Sequence, residues 1–387
     1  MKYGLIVYKE TTNIGDDIQC YAAASLLPQV DVVIDREHLD EFKSEEPVMA
    51  IMNGWFLHKK WNWPPANDLR PLFVAFHYAE YRVAQYYGEY IKTEFLKGPG
   101  KDYLKAWEPI GCRDLNTVKL LENLGIKSYF SGCLTLTLPQ MPRKAEDSEY
   151  ICLVDLDVKA TEKFSEKAKK ENINVKIMTH LISQYKPDTT WEYRSKKVEE
   201  LLTVYQNAKC VVTSRLHCAL PCLALGVPVI LVRKDLDNIR FQPYVEWLHT
   251  LTLEDARKGN IPCSLSSPPE NKQKHLETRN QLINSVKSFL ENQELTPKYQ
   301  IDDIDRLVWQ RDALRSALEN NLEKYKFDIL HYEKKTNELL KRLNSKNVKK
   351  TESNDNNEES LFYKIYKNIT LYGAKTTWLK IKSNLRK

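Results

Sequence analysis

The sequence predicts an α/β fold built from two parallel-sheet halves and followed by a C-terminal helical extension. Three observations carry this. Short apolar runs alternate with helical patterns from residue 3 to residue 292, which implies right-handed βαβ units and parallel sheets. At 387 residues the chain exceeds what one hydrophobic core usually serves. After Pro297 the alternation stops and a long charged helical pattern begins.

The first half, residues 1–140, reads as strands at Tyr3–Tyr8, Asp31–Asp35, Val48–Met52 and Leu72–Phe76, each a short run of strand-forming residues. A helix is expected over Asp17–Leu27, and another over Leu115–Leu124 that stops at Gly125 as a C-cap. Pro139, Pro142 and the polar run Arg143–Glu149 mark the crossing to the second half, residues 141–297. There, strand Tyr150–Asp155, helix Ala160–Lys170, strand Val175–Thr179 and helix Ser195–Asn207 follow in alternation. Next come a buried strand from Cys210, a short helix ending at Gly226 and a second buried strand to Val232. A long helix near Glu270–Asn292 closes this half.

In residues 298–344, Leu318, Leu322, Tyr325, Ile329, Tyr332, Thr336, Leu339 and Leu343 keep alternating 4,3 spacing. This seam fits a dimerising coiled coil and equally an amphipathic helix lying on its own protein. Residues 345–360 are polar and low in complexity, the composition of a disordered linker. Residues 361–387 hold seven of the 58 Lys/Arg and no acid, leaving 51 basic against 52 acidic residues elsewhere. A near-neutral body argues against nucleic acid as partner. Eight scattered cysteines without Cys-x-x-Cys pairing, no secretory signal and no span of ~20 apolar residues fit a reducing cytosol.

Arg215 and His217 stand where a buried strand gives way to a helix, the place where open α/β sheets bind ligands. An arginine fork suits carboxylate or phosphate, and imidazole moves protons near neutral pH. Pro221 is expected to lie near the helix start. After the first strand comes Asn13-Ile14-Gly15-Asp16-Asp17-Ile18-Gln19. Its paired aspartates would repel phosphate, so they suit sugar hydroxyls or general-base work, while N-capping by Asp16 or Asp17 fits as well. Arg113, before Asp114, is either a second anion anchor or half of a surface ion pair. The ring-rich stretch 53–65 offers Trp55, read as packing, and Trp61 and Trp63, left open between packing and stacking on a carbohydrate. No zinc spacing, nucleophile triad or phosphate-binding glycine loop occurs.

Taken in order, Asn13–Gln19, Arg113-Asp114 with the helix to Gly125, and Ser214-Arg-Leu-His217 through Leu225-Gly-Val-Pro-Val-Ile230 resemble the polysaccharide pyruvyl transferase family over roughly residues 1–250. The resemblance implies two Rossmann-like domains facing across a cleft in a glycosyltransferase-B-like arrangement, the second on the donor side. It further implies transfer of pyruvate from phosphoenolpyruvate, as co-substrate and without a further cofactor or metal, onto two hydroxyls of a sugar. The acceptor would be a polysaccharide or lipid-linked glycan in cell-envelope, capsule or exopolysaccharide assembly. Arg215 and His217 would contact the donor and act catalytically, with Ser214, Leu216 and Arg113 beside them. An imidazolium at position 217 would protonate the donor's methylene carbon. Asn13, Gly15, Asp16, Gln19, Trp61 and Trp63 are assigned to the acceptor, with Asp16 and Asp17 as candidate bases. Where many relatives carry Asp-Pro, this chain has Ser131-Gly132-Cys133. A glycosyltransferase using a nucleotide sugar and a non-catalytic scaffold for glycan assembly are the alternatives.

For the tail, contact with the inner face of an anionic membrane and a solvated basic segment both fit its mix of lysines and rings. Liposome flotation of the full chain against one ending at Ser360 decides: loss on truncation assigns the tail to the membrane, and equal flotation removes that role.

Overall fold

The structure is a computed structural model that describes residues 1–57, 60–78, 94–139, 149–183, 185–186, 188–292 and 296–348. The expectations for 349–360 and for the basic tail lie outside these residues.

The first sheet contains β1 (Lys2–Val7), β2 (Val32–Asp35), β3 (Val48–Phe56), β4 (Leu69–Tyr78), β5 (Ile110–Cys112) and β6 (Ser128–Phe130), in the order β2-β1-β3-β4-β5-β6. The second contains β7 (Tyr150–Val154), β8 (Asn174–Met178), β9 (Val211–Thr213), β10 (Val229–Arg233) and β11 (His249–Thr252), in the order β11-β10-β9-β7-β8. Every pairing is parallel. Both sheets therefore share one plan: the second strand lies outside the first, and the later strands add on the other side. In such sheets the order reverses between the first and third strands, and a crevice opens at their carboxyl ends. Here those switch points fall between β1 and β3, and between β7 and β9.

The described α-helices are α1 (Ile14–Ala24), α2 (Gly98–Ala106), α3 (Leu115–Asn123), α4 (Val158–Lys170), α5 (Trp191–Gln206), α6 (Leu216–Ala224), α7 (Gln242–Val245), α8 (Leu253–Lys258), α9 (Leu276–Glu291) and α10 (Asp303–Val348). Contacts group the described residues up to Asp312, and with them both sheets, into one compact unit. Of the described residues, those from Ala313 on form a second unit. In the first unit a single apolar core joins Leu5, Val7 and Ile18 to Leu134, Leu136, Leu202, Leu220 and Leu223. Each such side chain stabilises by about 1.5–3 kcal/mol when fully buried. In the second unit the described helix runs unbroken to Val348, past the expected end at residue 344, and Leu318, Leu322 and Ile329 of the seam are exposed.

Three local expectations change. α1 begins at Ile14, because Asn13 takes the N-cap position and its side chain accepts from Gly15 N–H. Neither Asp16 nor Asp17 is the cap. α6 begins at Leu216, so Pro221 lies inside it and not at its start. Without an N–H at residue 221, the carbonyl of His217 loses its intrahelical partner. Finally, Trp63 is fully buried, packing on Phe56, Phe73, Phe76 and Tyr103 while its indole N–H donates to the Gly100 carbonyl. It has no face to offer a sugar. Trp61 remains 39% exposed. Trp63→Ala is expected to cost about 3–5 kcal/mol in urea unfolding, the range for deleting a buried ring; a loss under 1 kcal/mol would contradict this packing.

Candidate functional site

The carboxyl ends of both sheets supply one polar cluster. α1 leaves the end of β1, Arg113 follows β5, and His217 opens α6 just after β9. Arg113 extends the sheet ladder, its N–H donating to the Phe76 carbonyl at 3.0 Å, while its own carbonyl accepts from Tyr244. The side chain is 1% exposed. Nη1 donates to Gln19 Oε1 at 2.7 Å, whereas Nε and Nη2 have no partner among the described residues. No carboxylate forms an ion pair with it there. The surface ion pair entertained from sequence is therefore absent, and a charge removed from water at a cost of several kcal/mol is balanced by one neutral amide.

His217 lies next to this arginine. Its Nδ1 is 3.4 Å from Gln19 Nε2, and Nε2 is buried without a partner among the described residues. Burial first, then Arg113, Arg240, His180 and His77 around it, hold its pKa well below the usual histidine value. That direction favours the neutral ring over the imidazolium expected from sequence. Gly15 explains the close fit of α1, since a Cβ there would stand 3.1 Å from that of His217. Asp16 accepts from Thr11 at 2.7 Å and from Gln19 and the Trp55 indole at 3.4 Å. Trp55 in turn stacks on Tyr8, with the Arg36 guanidinium against both rings.

The other candidates lie apart from this cluster. Asp17 is fully buried in an ion pair with Arg194 and accepts from the Tyr185 hydroxyl at 2.9 Å. It fastens α1 to α5, and burial outweighs Arg194 to raise its pKa. Without solvent access it is not placed to deprotonate a sugar. Arg215 is part exposed and donates from Nε to Asp155 at 3.0 Å, while the Ser214 hydroxyl donates to the Asp155 carbonyl. Leu216 belongs to the core.

Sequence reasoning missed His77, Arg240, His180 and Tyr244. His77 ends the buried run of β4, the same strand-end signal that marked Arg215, and should have been found. Its Nδ1 is 2.6 Å from Asp114, the N-cap of α3, which also accepts from Thr117 N–H at 2.9 Å. Burial, then Arg113, lowers His77 to about 4 against the pull of Asp114. Burial alone would raise Asp114, but His77, Thr117 N–H and Arg113 together hold it at about 2.

The cluster can bind an anion: among the described residues two arginine nitrogens and one imidazole nitrogen lie buried without partners, with the Arg240 guanidinium a further cation near them. The sequence profile of the polysaccharide pyruvyl transferase family matches residues 13–235, more than half of the chain. The chain belongs to that family. It is thus a transferase acting in glycan modification, and the matched span contains Gln19, Arg113 and His217. No curated protein sequence matches the chain. Among solved structures, Staphylococcus aureus MnaA with UDP is similar at 11% identity, covering 77% of this chain and 99% of that one, with a TM-score of 0.39. An uncharacterized Klebsiella pneumoniae protein is similar at 13% identity, covering 64% and 92%, with a TM-score of 0.34.

Both lowered histidines give a signed pH dependence. Below about 6.5 the unfolded chain binds protons that the folded rings refuse, so stability present above that pH is lost as pH falls. Urea unfolding between pH 7.5 and 5 should show a drop approaching 1.4 kcal/mol per pH unit for each ring. His77→Gln and His217→Gln should each flatten that slope; unchanged slopes would show that these rings do not titrate this way.

Proposed function

We propose that this transferase moves pyruvate from phosphoenolpyruvate onto a pair of sugar hydroxyls as a ketal, with the donor held at Arg113 and His217. The observation that carries this reading is the buried arginine whose two remaining nitrogens lack partners among the described residues. Phosphoenolpyruvate brings a carboxylate and a phosphate, and it needs converging charge-assisted donors of this kind. Its arrival satisfies Arg113 Nε and Nη2 and His217 Nε2 together, while Arg215, at the start of the same helix, stays paired with Asp155.

The reaction requires three events. A proton adds to the methylene carbon and makes it a methyl group. The neighbouring carbon, now electron-poor, is attacked by one sugar oxygen, and phosphate leaves. The second sugar oxygen closes the ring, and the two hydroxyl protons balance those gained by carbon and phosphate. Charge builds on the departing phosphate, which fixed arginine and imidazole donors stabilise without reorganisation. We assign the two sheets to the two sides of a glycosyltransferase-B-like cleft. The acceptor glycan then approaches Asp16 at the first turn of α1, and no cofactor or metal takes part.

Phosphate release from phosphoenolpyruvate with candidate soluble and lipid-linked glycans tests the activity. Sugar transfer from a nucleotide sugar with no such release would overturn it. Gln19→Glu places a carboxylate where Arg113 now meets an amide. The expected result is a higher melting temperature together with donor affinity weakened more than about tenfold, because the cation is no longer available. Undiminished binding in this variant would remove Arg113 from the donor site.

A further inference from the structure

Gln19 touches both groups of the anion site. Its Oε1 accepts from Arg113 Nη1 at 2.7 Å. Its Nε2 lies 3.3 Å from the Gly15 carbonyl, 3.4 Å from Asp16 Oδ1 and 3.4 Å from His217 Nδ1. Reversing the amide would set its NH2 against a guanidinium and its oxygen against a carbonyl and a carboxylate. Arg113, Gly15 and Asp16 thus fix the same orientation. An amide nitrogen only donates, so a hydrogen bond between it and the ring requires Nδ1 to accept, the two N–H bonds being shared among Gly15, Asp16 and His217.

We propose that Gln19 is a positioning residue that holds His217 as the neutral tautomer protonated on Nε2. His217 then grips the bound anion as a hydrogen-bond donor and is not the acid that protonates the methylene carbon. The surroundings act in the same direction. Arg113 after β5, His77 on β4, His180 after β8 and Arg240 after β10 all place positive or protonatable groups toward the ring. On α1 the neighbouring acid is Asp16, and it is engaged by Thr11, Trp55 and Gln19. A neutral imidazole N–H is an effective donor where nearby positive charge depresses its pKa. This rests on Arg113 and His217 forming the donor site. Its consequence is that the proton for the methylene carbon comes from another group.

Selective 15N-histidine labelling of the full chain reads the ring directly, with the His217 signal assigned by its loss in His217→Gln. The expected spectrum shows Nε2–H and bare Nδ1 from pH 8 to pH 6. The same spectrum should persist when inorganic phosphate or phosphoenolpyruvate is added to saturation. An Nδ1–H tautomer in the free protein, or a doubly protonated ring at pH 7 with either anion bound, would overturn the proposal. Gln19→Glu should shift His217 into titration between pH 5 and 8, and Gln19→Met should yield a mixture of tautomers. If both variants keep the wild-type His217 spectrum, Gln19 has no positioning role. Should phosphoenolpyruvate fail to bind at all, the donor reading falls, while the ligand-free spectrum still tests Gln19 on its own.

Discussion

A guanidinium buried without a carboxylate is the constraint around which this site is organised. Removing a charge from water costs several kcal/mol even after relaxation, and an ion pair is the usual compensation. Arg113 has Gln19 instead, together with a backbone fastened at both ends by Phe76 and Tyr244. The nearest acid in sequence, Asp114, is committed to capping α3 and to His77. The fold thus keeps the arginine rigid and dry while leaving part of its hydrogen-bonding capacity unused. Such an arrangement raises affinity for an anion because little of the binding free energy goes into ordering the receptor.

The sheets explain why these groups meet. Each half repeats one strand order, so each has its own switch point with polar residues at the carboxyl ends of its strands. α1 is the element common to both: Ile18 and Ala22 enter the shared core, Asp17 is tied to Arg194 on α5, and Gln19 reaches Arg113 and His217. A rotation of α1 about its axis would disturb core, ion pair and site together. The geometry at the site is therefore held by burial elsewhere, as a preorganised site requires.

Much of the fold was legible because its parallel strands read as compact runs of apolar and β-branched residues, whether central like β3 and β7 or half-exposed edges like β2 and β8. β1 to β4 and β7 to β10 were recognisable in this way. β5, β6 and β11 were not: Ile110-Gly111-Cys112, Ser128-Tyr129-Phe130 and His249-Thr250-Leu251-Thr252 mix small or polar residues into runs of three or four, where the equally short β2 and β9 carry paired valines. Helix starts were misplaced where a side chain outside the helix decides them, as with Asn13. Trp63 looks identical in sequence to an exposed ring, and only packing on Phe56, Phe73 and Tyr103 identifies it as core. Asp16 and Asp17 are neighbours of the same type, yet a 100° step around the helix sends one toward the polar cluster and the other into an ion pair. The pairing of Arg113 with Gln19 spans 94 residues and leaves no local trace. His77 did leave one, at the end of an apolar strand.

The segment Asn13–Gln19 shows why a motif that is weak residue by residue is specific as a set. Asn13 ends the loop by capping α1, which fixes where the helix begins. Given that start, position 15 must approach His217 so closely that only a hydrogen fits without displacement. Position 17 then faces α5, where Arg194 requires a carboxylate, and position 19 falls between Arg113 and His217, where a carboxylate would neutralise the one and recharge the other. An amide is the side chain that can accept from the arginine and donate to the imidazole at once. Each residue type is thus dictated by the register set at Asn13, and slipping the cap by one residue would misplace every later one.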